Sequence, residues 1–211
     1  MKTVLAYGDS LTWGHDPANG GLRHAHDDLW PSVLARGLGD RVRVVQDGLG
    51  GRTTSFDDPS GPSCRNAVRS LPVTLCSQMP LDLVILMLGT NDLKPRFGAS
   101  AHSAYQGMRR LVQIVRSFPY KPASAVPRVM IVAPPCCGPA DLGLDGPQRV
   151  AESQRFAPLY AQLAREEGVA FFDAGTVAVP CREDGVHLHA PETRAIGTAL
   201  VAPVRDLLGL G

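Results

Sequence analysis

The sequence predicts an α/β fold in which parallel strands are joined by helical crossovers. Two observations carry this reading: short apolar runs alternate with longer helical patterns, and several of the runs are apolar almost throughout. Uninterrupted apolar strands are expected where helices cover both faces of a sheet. Strands are read at 3–7 (TVLAY), 41–46 (RVRVVQ), 81–88 (LDLVILML), 128–133 (RVMIVA) and 169–174 (VAFFDA). Helices are expected near 28–38, 66–77, 101–117, 147–167 and 191–208. The last has Ile196, Ala199, Leu200, Val204, Leu207 and Leu208 along one helical face. Residues 47–63 and 134–147 are long loops rich in Gly, Pro and Asp, the kind of segment that carries function or oligomer contacts.

A chain of 211 residues with 44% hydrophobic and 19% charged residues has material for one core, so residues 1–211 are read as a single domain. The formal net charge of +1 and the scattered basic residues give no phosphate-tracking surface, so no nucleic-acid partner is expected. The longest apolar stretch, LDLVILMLG at 81–89, is too short to cross a bilayer, so no membrane partner is expected. The Met-Lys start runs straight into a strand, without a secretory signal, so a cytoplasmic protein is expected. The five cysteines are odd in number and contain no CxxC pair, which disfavours a disulfide framework and a structural zinc site. Cys136 and Cys137 are read as two reduced thiols.

In an open parallel sheet, ligands collect beyond the carboxyl ends of the strands. The segments that follow the strands are GDSLTWG, DGLGGRTT, GTNDLK, PPCCGP and, after an interval, REDGVHLHA. All are expected on one edge. A serine hydroxyl becomes a nucleophile only when a neighbouring base takes its proton. Among His15, His24, His26, His102, His187 and His189, only His187 has an aspartate, Asp184, one turn before it at this edge. Such a carboxylate fixes the imidazole tautomer and stabilises the imidazolium formed when Ser10 is deprotonated. The Asn91 side chain and the backbone N–H groups of Gly51 and Ser10 are candidate donors to an oxyanion.

Two rival readings are weaker. His24, His26 and Asp28 in HAHDD, completed by His187 and His189, suggest a metallohydrolase, but the segment precedes a helix rather than following a strand. Gly48-Leu49-Gly50 suggests a dinucleotide site, but Thr53 stands where Gly or Ala is required. Pro59 and Pro62 also discourage the helix that should follow.

Taken together, YGDSLTWG, DGLGGRTT, LMLGTND and DGVH resemble the four blocks of the GDSL-type esterases of the SGNH hydrolase superfamily. The resemblance spans nearly the whole chain and implies a three-layer α/β/α sandwich with a central, mainly five-stranded parallel sheet. It implies Ser10 as nucleophile, His187 as general base and Asp184 as its orienting partner. Ser10, Gly51 and Asn91 would form the oxyanion hole. Within the superfamily the motifs look closest to the bacterial arylesterase, acyltransferase and carbohydrate acetylesterase branch. That branch implies a small ester substrate, no cofactor or metal, a homo-oligomer, and an acyl-serine intermediate open to acyltransferase or perhydrolase side activity. Lysophospholipase- or thioesterase-type hydrolysis is the alternative. Trp13, Thr90, Lys94 and Val186 are expected to bind substrate by their adjacency to the catalytic blocks. One departure stands out: the second block often has Asn two residues before its Gly, where this chain has Leu49. Other residues must then support that loop.

Overall fold

Five strands make one sheet in the order β2-β1-β3-β4-β5, with every neighbouring pair parallel. They are β1 (Lys2–Gly8), β2 (Val42–Gly48), β3 (Leu83–Met87), β4 (Arg128–Ala133) and β5 (Ala170–Asp173). This computed structural model describes residues 1–122, 124–141 and 146–210. Residues 142–145 of the 134–147 loop lie outside the described residues.

Both faces of the sheet are covered, which explains the apolar strands. In β1, Leu5 and Tyr7 face one layer while Val4 and Ala6 face the other, as the two-residue period of a strand requires. The first layer consists of α3 (Ala67–Gln78), α4 (Ala101–Ser117) and α6 (Phe156–Glu167), which contribute Leu71, Leu111 and Phe156 to its core. The second consists of α2 (Trp30–Leu38), α7 (Ala190–Ala199) and α8 (Val201–Leu208), which contribute Leu34, Ile196 and Val204. Two short helices complete the set: α1 (Ser10–Trp13), directly after β1, and α5 (Pro147–Ser153).

Two of the expected helices are each broken. The 147–167 stretch divides into α5 and α6, and the 191–208 stretch into α7 and α8. Pro158 and Pro203 explain both breaks. A proline inside a helix lacks the N–H donor and its ring clashes with the carbonyl four residues earlier, here at positions 154 and 199. The other strands and helices fall within a few residues of the expected bounds.

The chain passes from β1 to β2 at one side and then returns to place β3 on the other side of β1. This reversal opens a crevice beyond the carboxyl ends of β1 and β3, where an α/β sheet collects its ligands. Ser10 follows β1 and Asn91 follows β3, so the topology brings these two blocks together before any side chain is considered.

Candidate active site

Asp9 directly follows β1 and caps α1, its Oδ1 accepting the Leu11 N–H at 3.0 Å. Capping starts the helix at the next residue, so Ser10 sits at its first position with its side chain on the cavity wall. The His187 Nε2 lies 3.0 Å from the Ser10 Oγ. Its Nδ1 lies 2.6 Å from the Asp184 Oδ2. A single hydrogen-bonded line therefore runs from hydroxyl through imidazole to carboxylate.

The DGVH turn is built to hold this line. Asp184 Oδ1 accepts the N–H groups of Val186 and His187, each at 2.9 Å, and the Cys181 thiol at 3.2 Å. Gly185 has φ +70°, a conformation that side chains disfavour, and a Cβ there would lie 2.3 Å from the Gly138 carbonyl oxygen. Burial favours the neutral acid at Asp184. The hydrogen bonds from His187 and the Val186 backbone outweigh it and hold the carboxyl well below the usual carboxylate range. The partner of the imidazole is thus a carboxylate throughout the neutral range.

Ser10, His187 and Asp184 open into a cavity of about 440 Å³ that Gly51 and Asn91 also line. The Asn91 amide nitrogen donates to the Arg52 carbonyl at 3.1 Å and sits 3.4 Å from the Asp9 Oδ2. Burial pushes the Asp9 carboxyl up to about 6, against the opposing pull of the Leu11 N–H, His187 and Arg52. Asp92 joins the third block to the second: its carboxylate accepts both the Thr54 hydroxyl and the Thr54 N–H. Burial pushes it up to about 7 despite those bonds.

The profile of the GDSL-like Lipase/Acylhydrolase family matches residues 6–193. The chain belongs to that family. A protein of Agrobacterium tumefaciens assigned as an arylesterase is 57% identical, with a TM-score of 0.95, over 99% of this chain and 100% of its own. A carbohydrate acetylesterase family member of Sinorhizobium meliloti is 45% identical, with a TM-score of 0.96, over 100% of both chains. The aryl esterase of M. smegmatis is 38% identical, with a TM-score of 0.92, over 99% of this chain and 100% of its own. No protein in a search of curated sequences matches the chain.

The GDSL hydrolase fold thus gathers Ser10, Gly51, Asn91, Asp184 and His187 around one cavity. Of the four expected substrate-binding residues, Lys94 and Val186 line it and Trp13 and Thr90 do not. Trp13 closes α1, and its ring lies beneath the Arg23 guanidinium, 5.7 Å away. Thr90 is buried, with its hydroxyl turned away from solvent and from the cavity. Adjacency to the catalytic blocks thus places Lys94 and Val186 on the cavity wall, while Trp13 and Thr90 lie beside it in other surroundings.

The rival metal cluster is not assembled. His24 Nε2 meets the Leu188 carbonyl at 2.9 Å, exposed His26 approaches Asp27, and Asp28 pairs with Arg194. Among the described residues, only His15, Asp184 and His187 have ligand atoms close enough together, within 4.8 Å, to grip a metal ion. Both ring nitrogens of His187 in that group already face Asp184 and Ser10. Cys64, Cys76, Cys136 and Cys181 are free thiols.

Two contributors escaped the sequence reading. Arg52, only 4% exposed, takes over the support that Leu49 cannot give. Its guanidinium donates to the Gly8 carbonyl at 2.8 Å and to the Asp47 carbonyl at 2.7 Å, pairs with the Asp47 carboxylate and lies 4.0 Å from the centre of the Tyr7 ring. The signal was an arginine following two glycines, which reads equally well as a solvated loop residue. His15 stacks on His187 with ring centres 3.8 Å apart. Burial, and the neighbouring His187, keep the His15 imidazole below its usual pKa, so it faces His187 as a neutral ring.

Proposed function

We propose that this GDSL hydrolase is a serine esterase that cleaves small carboxylic esters, acetyl esters of aryl or carbohydrate alcohols foremost, through an acyl-serine intermediate. The observation that carries the reading is the continuous hydrogen-bonded line from Ser10 through His187 to Asp184 at the wall of a cavity. Its relatives named as arylesterases and as a carbohydrate acetylesterase support the choice of esters.

In the first step the Ser10 Oγ bonds to the ester carbonyl carbon and its proton passes to the His187 Nε2. The imidazolium is stabilised by Asp184, and the oxyanion is met by the Asn91 amide with the Gly51 and Ser10 N–H groups. The carbon–oxygen bond to the alcohol then breaks, and the alcohol leaves with the proton from His187. Water repeats the sequence on the acyl-serine and frees the acid.

Hydrolysis is favoured over acyl transfer by the character of the cavity. Its described lining includes His15, Arg65, Lys94 and Arg149, with Val186 as the branched aliphatic side chain. A wall of that polarity holds water near the intermediate. The test is turnover of p-nitrophenyl acetate by wild type and by Ser10→Ala. Loss of turnover in the variant is expected, and equal rates would overturn the assignment.

A further inference from the structure

The part of the cavity that the proposed chemistry leaves unused is cationic. Arg65 and Lys94 line it beside Ser10, Gly51 and Asn91. Both reach back to one carboxylate, Asp58, whose side chain has 0% exposure. Lys94 Nζ lies 3.3 Å from the Asp58 Oδ2, Arg65 Nη1 lies 3.4 Å from the same atom, and Arg96 Nη1 lies 3.3 Å from the other oxygen. Three cations around one anion leave two positive charges uncompensated within the cluster.

Arg65 is held in a slot made for it. A Cβ on Gly51 would lie 2.7 Å from the Arg65 Nε, and a Cβ on Gly61 would lie 2.4 Å from its Cζ. A side chain at either position would push the guanidinium out of this place, so both glycines let it settle against the Gly51 backbone, beside the candidate oxyanion donor. The Ser60 hydroxyl accepts from Arg65 at 2.9 Å and donates to the Asp58 Oδ1 at 2.6 Å, which fixes the guanidinium from a second side. Burial lowers the pKa of the half-buried Lys94 ammonium even though Asp58 pulls it the other way. Its charge therefore gains from an anion that enters the cavity. The carboxylate already on the wall, Asp184, is committed to His187 at 2.6 Å.

We propose that the cavity selects esters that carry their own carboxylate, with Arg65 and Lys94, braced on Asp58, receiving that carboxylate while Ser10 meets the ester carbonyl. An acetylated sugar acid or an ester of an aromatic hydroxy acid has this chemistry. The inference rests on the esterase reading above and narrows its substrates. A planar guanidinium with an adjacent ammonium matches a carboxylate in shape and charge, and charge complementarity of this kind sets which substrate is accepted.

The test compares matched ester pairs with the purified full chain. One pair, 4-acetoxybenzoate against methyl 4-acetoxybenzoate, carries the charge on the alcohol. The other, 4-nitrophenyl hemisuccinate against 4-nitrophenyl butyrate, carries it on the acyl group. In at least one pair the anionic ester is expected to be favoured about tenfold in kcat/KM. That ratio falls toward one in Arg65→Gln and in Lys94→Met. In wild type it also falls as salt is raised, a measurement that needs no variant to fold. Ratios of one or less in both pairs, with Ser10→Ala inactive, would overturn this inference and leave the esterase reading intact. A Ser10→Ala variant that still turns over both pairs would instead overturn the esterase reading. An equal loss on neutral and anionic esters in Arg65→Gln would mean that the cluster only braces its loop, and would also overturn the inference.

Discussion

Two carboxylates serve the cavity in opposite ways. Asp184 lines it, engages one imidazole at 2.6 Å and takes three further hydrogen bonds from its own turn. Asp58 is shut away from solvent behind Arg65 and Lys94 and shares its charge among three cations. Burial pushes each carboxyl up, and in each case the surrounding donors win and hold it well below the usual carboxylate range. The same protonation state has different consequences. At Asp184 one negative charge is matched to one proton-accepting ring, which sets up a reaction. At Asp58 the cations outnumber the anion, which leaves positive charge facing the cavity. The local ratio of partners, more than the carboxylate itself, decides what each aspartate does.

The contrast breaks most severely at the nucleophile. Ser10→Ala removes the atom toward which the Asp184 side is organised, and a loss in kcat on the order of 10⁶ is expected on p-nitrophenyl acetate, with melting temperature near that of wild type. Asp184→Asn keeps the shape of its side chain but favours the wrong imidazole tautomer. Its kcat is expected to fall about 10⁴-fold. Unchanged turnover would remove Asp184 from the mechanism. Asn91→Ala deletes one candidate oxyanion donor, with an expected loss of roughly 10²–10³ in kcat and a smaller change in KM.

Asp58→Asn sharpens the comparison from the other side. It leaves Arg65, Lys94 and Arg96 without their shared anion, so the melting temperature is expected to drop while the preference for anionic esters grows. A preference that shrinks would show that Asp58 matters by placing the cations and not by limiting their charge.

Titration separates a third carboxylate, Asp9, from both. The depressed pKa values of Asp184 and Asp58 give stability that is present above the unfolded value of about 3.9 and is lost as pH falls through their folded values. Asp9 has the reverse sign. Its folded value of about 6 gives stability that is full below about 3.9 and is lost as pH rises through about 6. The melting-temperature difference between Asp9→Asn and wild type should therefore climb from pH 4 to about pH 6 and then level off. A difference that is flat across that range would contradict the buried, raised carboxyl.

Much of this was legible before any coordinates. The strands β1, β3 and β4 announce themselves because a buried parallel strand must be apolar on both faces, and the four blocks are short local turns after strands or at the chain's last site loop. Asp9 caps α1 through Leu11, two residues on, which sequence records directly. The breaks at 154–155 and at 200 were also written in the chain, as Pro158 and Pro203, but helical periodicity continued across them and masked the signal. The cationic wall was not legible. Asp58, Arg65 and Lys94 meet only after the 47–66 segment folds back onto the turn that follows β3. Charge in a Gly- and Pro-rich loop looks the same whether it ends in solvent or in a cavity. The stacking of His15 on His187 depends likewise on two loops that are distant in sequence.

The most direct test of the central claim is the fate of Ser10 during turnover. Wild-type protein mixed rapidly with p-nitrophenyl acetate and quenched in acid should gain the mass of one acetyl group, located by peptide mapping on Ser10, and Ser10→Ala should gain none. Continued turnover without any acyl-protein, or acetyl carried by another residue at the same rate in both proteins, would contradict the account.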